Sequence, residues 1–308
     1  MTKNTGLPRH AILLMLLLCS LWGGNMAAIK IGSTMLAPVL SAFVRSTVAS
    51  LLLLIWMKSR SIKLFPDRTT VFHGMVTGTL FGLEFGCIYL GLEHTLASRG
   101  YVLLYTHPFF VALGGHYLLH NDRLSLGKVA GLLLAFSGVV VLFVGDWGPV
   151  TTRTLYGDLL LLLAGAMWGG TTLYIKRFMP GRAVPMQTLF YQLFFSAPIL
   201  LALGFALDTQ LWRGFSWEGS CALLYQAVVI AFASYLLWFE LLHRYAASLL
   251  TSFTFLTPVL GVLISGVLIL GEPLSATVLV ALAVVTVGLY VVNRPRRVLP
   301  AADQVPYG

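Results

Sequence analysis

The chain has 308 residues, of which 58% are hydrophobic and only 10% are charged. A soluble globular domain carries about 25% charged residues, so the composition excludes an ordinary soluble protein and predicts a surface solvated by lipid. The formal net charge of +9 does not indicate a nucleic-acid-binding protein, because the cations are scattered between apolar runs and form no basic face.

Ten hydrophobic runs follow one another along the chain, separated by short polar or proline-containing breaks. About 20 apolar residues cross a bilayer, so each run predicts one transmembrane helix and the fold class is an all-α polytopic membrane protein. The first run follows Lys3 and Arg9 but continues to Ile29, too long for a secretory signal, which predicts a retained helix. The runs cover residues 11–30, 38–57, 70–92, 97–119, 126–145, 157–177, 185–207, 219–242, 248–270 and 275–293.

The sequence around Trp22 occurs twice. Trp22-Gly23-Gly24 is followed by Ile29-Lys30, and Trp168-Gly169-Gly170 is followed by Ile175-Lys176, 146 positions later. Further pairs keep the same order: Ala97-Ser98 matches Ala247-Ser248, and Pro108 matches Pro258, both at a shift of 150. We therefore predict two homologous five-helix halves, residues 1–150 and 151–297, followed by a tail of residues 298–308.

The positive charges predict the orientation. If the N-terminus is cytoplasmic, fifteen Lys and Arg residues fall on the cytoplasmic side and four on the outer side, with Arg45 inside a span. This bias agrees with positive-inside topology and places the C-terminal tail in the cytoplasm. Since five helices per half is an odd number, the halves have opposite orientations, which is the inverted repeat of many alternating-access transporters. The four outer cations are Lys30, Arg99, Arg153 and Arg213.

These features resemble the EamA-type members of the drug/metabolite transporter superfamily. The resemblance rests on the ten helices, on Trp-Gly-Gly at the start of each half, and on the end of each half: Pro108 with Asp122-Arg123-Leu124-Ser125, and Pro258 with Gly271-Glu272-Pro273-Leu274-Ser275. It implies a secondary transporter of a bacterial inner membrane that exports amino acids or other small metabolites. A lipid-carrier or nucleotide-sugar-type flippase or antiporter, and a non-transporting membrane scaffold, are the alternatives.

Aromatic and hydroxyl side chains predict the lining of a central cavity. Tyr101 and Tyr105 share one face of the fourth helix, as Thr251 and Phe255 do in the ninth. Tyr105 and Phe255 are the expected symmetric pair, and Pro108 and Pro258 are expected to kink these helices. Packing between helices is the alternative role for the same residues. The remaining candidate substrate-binding residues are Trp22, Asn25, Trp168, Ser234 and Trp238.

Three ionisable side chains are predicted at one depth. Counted from the ends of their helices, Arg45, Glu84 and His107 lie roughly 10 to 13 Å below the outer face. A charge at that depth is costly, so Arg45 and Glu84 are expected to be neighbours. They form either a structural ion pair or a site where Glu84 binds a substrate charge or a coupled proton. The equivalent positions in the second half are Gln192, Ser234 and Thr257, which are polar and uncharged.

The sequence contains no nucleotide-binding loop, nucleophile elbow or zinc-ligand spacing. We therefore expect no enzyme activity, cofactor, catalytic residue or metal. The expected partners are a small-molecule substrate, membrane lipid and, in one interpretation of Glu84, protons, with no nucleic acid. Lys30 and Lys176 end their helices and are expected to extend toward water.

Overall fold

The computed structural model describes residues 7–120, 122–143, 145, 148–208, 210–264 and 275–294. Within these ranges the chain forms thirteen α-helices and one π-helix, and no strand. The predicted all-α architecture is therefore confirmed for the described part of the chain. The end of the ninth predicted run at 265–270, the break at 271–274 and the tail 298–308 lie outside it.

The helices follow the predicted runs closely. The first half contains α1 (Arg9–Gly32), α2 (Pro38–Ser59), α3 (Arg68–His94), α4 (Ala97–Leu104), α5 (His107–Leu118) and α6 (Leu126–Phe143). The second half contains α7 (Thr152–Phe178), α8 (Pro185–Leu207), α9 (Trp217–Leu224), π1 (Tyr225–Ser234), α10 (Tyr235–Arg244), α11 (Ala247–Phe253), α12 (Leu256–Val262) and α13 (Ala276–Asn293).

Eight candidate spans are found in the described residues, judged by length and composition, and α9, π1 and α10 together form one of them. The chain is thus a multi-pass membrane protein. Many large apolar side chains point outward, among them Leu13 at 65% and Ile55 at 66% exposure. In water this surface would be unfavourable, whereas in a bilayer it contacts lipid.

The fourth and ninth predicted spans are the two that differ, because neither is one continuous helix. The first is split into α4 and α5 by a turn at Tyr105–Thr106, and the second into α11 and α12 by a turn at Thr254–Phe255. Pro108 and Pro258 lie just after these turns. Proline has no N–H to donate to the carbonyl four residues earlier, so the preceding turn cannot continue as α-helix.

The bundle is held together by close helix pairs. α3 packs against α7 and α8, α2 packs against α8, and α6 packs against α13. In the last pair, a Cβ added at Gly288 would lie 2.4 Å from the backbone nitrogen of Ala135. Small residues of this kind let helix backbones approach, which is how membrane helices gain packing energy without a hydrophobic effect between them.

Candidate functional site

A cavity lies in the centre of the bundle, between helices from both ends of the chain. Its volume is about 160 Å³. Side chains from α1, α2, α3 and α4 form one part of its wall, and side chains from α7, α8, π1 and α10 form the other. Most of these side chains are apolar or aromatic, and a few polar groups lie among them, as is usual in small-molecule sites.

The repeated tryptophans Trp22 and Trp168 both line this cavity. The indole N–H of Trp22 donates to Ser234 Oγ at 2.9 Å, and its ring meets the edge of Trp238 at a centroid distance of 5.5 Å. Trp168 is stacked on His107 with the ring centroids 3.7 Å apart. Neighbouring side chains therefore fix the orientation of both indoles. Tyr105, Phe81, Phe85 and Tyr235 complete the aromatic wall.

The glycine directly after each tryptophan lies at a close contact between two helices. A Cβ at Gly23 would lie 2.6 Å from the backbone nitrogen of Gly261 in α12, and a Cβ at Gly169 would lie 2.8 Å from Phe110 Cβ in α5. α1 thus packs closely against α12, and α7 packs closely against α5. Each contact brings the adjacent tryptophan to the cavity wall.

Among the buried polar side chains that face the same cavity are Asn25, Arg45, Glu84 and Gln192. They come from α1, α2, α3 and α8, and none is more than 8% exposed. Each carries buried atoms without a hydrogen-bond partner, namely Asn25 Oδ1, Arg45 Nε and Nη2, Glu84 Oε2 and Gln192 Oε1. An unmade hydrogen bond of a buried polar group costs about 1–3 kcal/mol, and more for a charge. The cavity therefore presents an anion-binding group, a cation-binding group and two amides that a polar ligand would satisfy.

Arg45 and Glu84 both line this cavity, but their side chains do not form a close ion pair. No nitrogen of Arg45 lies within the 4.0 Å salt-bridge distance of a Glu84 oxygen. The guanidinium carbon of Arg45 instead lies 4.5 Å from the centroid of the Phe85 ring and 5.9 Å from that of Tyr235. Aromatic faces attract a cation without satisfying its N–H groups. Arg45 Nε and Nη2 and Glu84 Oε2 thus remain available to hydrogen-bond a molecule in the cavity.

Several predicted site residues lie outside the cavity wall. Tyr101 stacks on Phe143, with the ring centroids 5.2 Å apart. Thr251 donates to the carbonyl of Ala247 within its own helix. Phe255 is fully buried and packs against Phe109 and Phe136, so it does not pair with Tyr105 across the cavity.

His107 and Ser234 do not line the cavity but contact tryptophans that do. His107 lies behind Trp168, and its Nε2 is 3.1 Å from the hydroxyl of Thr254. It is therefore separated from Arg45 and Glu84, since the turn before α5 directs it toward α7. Ser234 accepts the hydrogen bond from Trp22 and donates to the carbonyl of Ile230.

Other lining residues were not singled out from the sequence. Phe81 and Phe85 lie on the same helix as Glu84, at spacings of three and one, so helical periodicity around the buried carboxylate indicates Phe81. Tyr235 follows π1, a local change of helical pitch that the sequence does not reveal. Gln192 was noted only as the counterpart of Arg45.

A second cavity of about 230 Å³ lies next to the first. The two share the side chains of Ile29, Tyr89 and Leu92. The second one reaches the end of the bundle where α1 and α3 end and α2 begins, and there it includes Asp208. The second cavity thus lies between the central cavity and one end of the bundle.

Comparison with known proteins agrees with this architecture. The model of the EamA-like transporter family matches the chain twice, at residues 9–144 and 155–294. An uncharacterized transporter of Archaeoglobus fulgidus is 28% identical over 80% of this chain and 84% of its own length. A probable amino-acid metabolite efflux pump of Salmonella typhimurium is 27% identical over 90% of this chain and 93% of its own. A solved crystal structure matches with a TM-score of 0.78 at 19% identity, covering 92% of this chain and 96% of that one.

Proposed function

Because the chain belongs to the EamA-like transporter family and is a membrane transporter of small molecules, we propose that it exports amino acids by alternating access. The substrate we propose has an apolar or aromatic side chain. The observation that carries the proposal is the arrangement of the cavity, in which a guanidinium and a carboxyl group, each with buried atoms that lack a hydrogen-bond partner, face one space with aromatic walls.

The chemistry of the site matches a zwitterion. Arg45 would bind the α-carboxylate, because its planar N–H groups fit a carboxylate in two parallel hydrogen bonds. Glu84 would bind the α-ammonium, and the amides of Asn25 and Gln192 would satisfy the remaining polar atoms. A free amino acid thereby neutralises two buried charges at once, whereas a singly charged molecule leaves one of them unpaired.

The aromatic part of the wall favours the side chain we propose. Trp22, Trp168, Trp238 and Tyr105 present flat apolar surfaces whose orientation is held by neighbouring groups. Aromatic rings prefer offset or edge-to-face contacts with one another. The name of the Salmonella relative, a probable amino-acid metabolite efflux pump, supports the same substrate class.

The proposed architecture is ten spans in two inverted halves, 1–150 and 151–297, in a bacterial inner membrane. The split helices α4–α5 and α11–α12 would be the fourth and ninth spans. Both termini would be cytoplasmic, as the bias of fifteen to four in Lys and Arg predicts. The double match of the family model supports the two halves.

Transport by the purified protein in liposomes tests the substrate class. We would compare phenylalanine with phenethylamine, which lacks the carboxylate, and with 3-phenylpropionate, which lacks the ammonium. Arg45→Gln should lose the preference for phenylalanine over phenethylamine, and Glu84→Gln the preference over 3-phenylpropionate. A hydrogen bond to a charged group contributes about 1.5–3 kcal/mol, so each preference should fall by roughly 10- to 100-fold.

Controls separate the site from general charge effects. Arg244→Gln and Glu240→Gln remove an exposed ion pair at the end of α10, so both should behave as wild type. A pH gradient in the same liposomes tests whether Glu84 exchanges a proton, since Glu84→Gln would then abolish the response to the gradient. If the Arg45 and Glu84 variants transport phenylalanine with unchanged selectivity, the proposed site is refuted.

A further inference from the structure

Lys176 makes a cross-helix contact that its position near the end of α7 does not predict. Instead of extending to water, its Nζ donates to the carbonyl oxygens of Leu242 and Tyr245, the second at 2.6 Å. Leu242 lies in the last turn of α10 and Tyr245 is the residue that caps it. Carbonyls at the C-terminal end of a helix have no partner within it and carry its partial negative charge. A lysine ammonium therefore forms strong hydrogen bonds with this end of the helix.

The contact lies directly beyond one end of the central cavity. Two cavity-lining residues belong to this region. Ile175 is next to Lys176 in the chain, and the carbonyl of Leu242 accepts the hydrogen bond from Lys176. The bond joins α7 to α10 across the place where the cavity ends. Near its other end lies the second cavity, which Asp208 lines. In this conformation the Lys176 contact bridges one end of the central cavity, and the second cavity adjoins the opposite end.

The turn after α10 is held from its other side as well. Asp122 Oδ2 accepts the backbone N–H of Ser248 at 2.8 Å, and Lys128 Nζ donates to Asp122 at 2.7 Å and to Ser248 Oγ at 2.9 Å. The turn between α10 and α11 is thus fastened to α7 by Lys176 and to the α5–α6 connection by Asp122. Of these two groups, Lys176 is the one next to the cavity.

The sequence repeat predicts a lysine and two helix-end carbonyls at the opposite end of the central cavity as well. Lys30 precedes Lys176 by 146 positions, and Leu92 and Thr95 precede Leu242 and Tyr245 by 150 each. These are the shifts that relate the two halves. Leu92 lies in the last turn of α3 and Thr95 caps that helix, as Leu242 and Tyr245 do for α10. Leu92 also lines both cavities.

We propose that Lys176 and Lys30 are a pair of alternating gate residues. Lys176 holds the α10 end of the cavity shut in the conformation seen here, and in the opposite conformation Lys30 holds the α3 end shut through the carbonyls of Leu92 and Thr95. The side chain of Lys30 lies outside the described part of the structure, so its role follows from the repeat. The inference rests on the proposed alternating access and is independent of the substrate.

Hydrogen–deuterium exchange of the full-length protein without substrate tests the proposal. In Lys176→Met, backbone amides at 241–246 should exchange roughly 10- to 100-fold faster, as expected for losing a hydrogen bond from a charged donor. The amides at 91–96 should exchange more slowly in the same variant, because the population moves to the conformation that Lys30 closes. Lys30→Met should change both regions in the opposite sense.

Lys58→Met is the matched control, because Lys58 is an exposed lysine in the last turn of α2, and it should leave both regions unchanged. Lys176→Gln, which retains a donor, provides a second variant if the methionine variant does not accumulate. If Lys176→Met speeds exchange at 241–246 alone, or alters neither region, Lys176 does no more than stabilise the end of α10, and the proposal fails. Because no substrate is present, reciprocal exchange in a protein that does not transport amino acids would refute the substrate class and leave the gate standing.

Discussion

Gly23→Ala perturbs the contact that brings Trp22 to the cavity wall. The added Cβ would lie 2.6 Å from the nitrogen and 2.8 Å from the Cα of Gly261, and 2.9 Å from the carbonyl oxygen of Thr257. Ordinary contact begins at 3.4 Å, so α1 has to move away from α12 by the difference between 3.4 and 2.6 Å, about 0.8 Å. All three neighbours are backbone atoms. No rotation of a side chain can relieve the overlap.

Overpacking of this kind costs about 1–3 kcal/mol. We expect the melting temperature of the detergent-solubilised protein to fall by roughly 2 to 10 °C, and transport to slow because Trp22 moves with the backbone of α1. The matched control is Gly170→Ala, in the same motif of the second half, where an added Cβ meets nothing within 4 Å. Both variants gain the same helix propensity, about 1 kcal/mol, so their difference measures the contact.

Melting is followed by size-exclusion chromatography of heated samples, and transport by uptake into liposomes. If Gly23→Ala has the same melting temperature and the same transport rate as Gly170→Ala, α1 and α12 do not approach each other as described. The role given to Gly23 in this contact would then be refuted.

Two further predictions concern packing and orientation. Phe255→Ala should cost about 3–5 kcal/mol and reduce the folded protein recovered from membranes, whereas Tyr105→Ala should keep the protein level and change the KM of transport. A stable Phe255→Ala variant with altered substrate preference would contradict this division. A reporter fused after Arg297 should be cytoplasmic and one near Arg153 periplasmic, and the reverse result would overturn the proposed orientation.

The amino-acid sequence alone predicts the membrane class and most helix bounds. Continuous apolar length is a local property, so the run at 185–207 predicts α8 (Pro185–Leu207) directly. The duplicated Trp-Gly-Gly motif likewise requires only the order of residues, and the family match to two stretches agrees with it. Depth along a helix is equally local, and Arg45 and Glu84 do lie at one cavity.

Spacing along the sequence does not predict which way every side chain points around its helix axis. Counting along continuous helices pairs Tyr105 with Phe255, but both residues lie at the turns that split the fourth and ninth spans. Across such a turn the 3.6-residue period is lost, so Tyr105 faces the cavity and Phe255 faces the core. The distance between Arg45 and Glu84, the hydrogen bond from Trp22 to Ser234 and the contact of Lys176 with α10 join groups on different helices. Only the packing of the bundle decides these, because no local period relates the rotation of one helix to that of its neighbour.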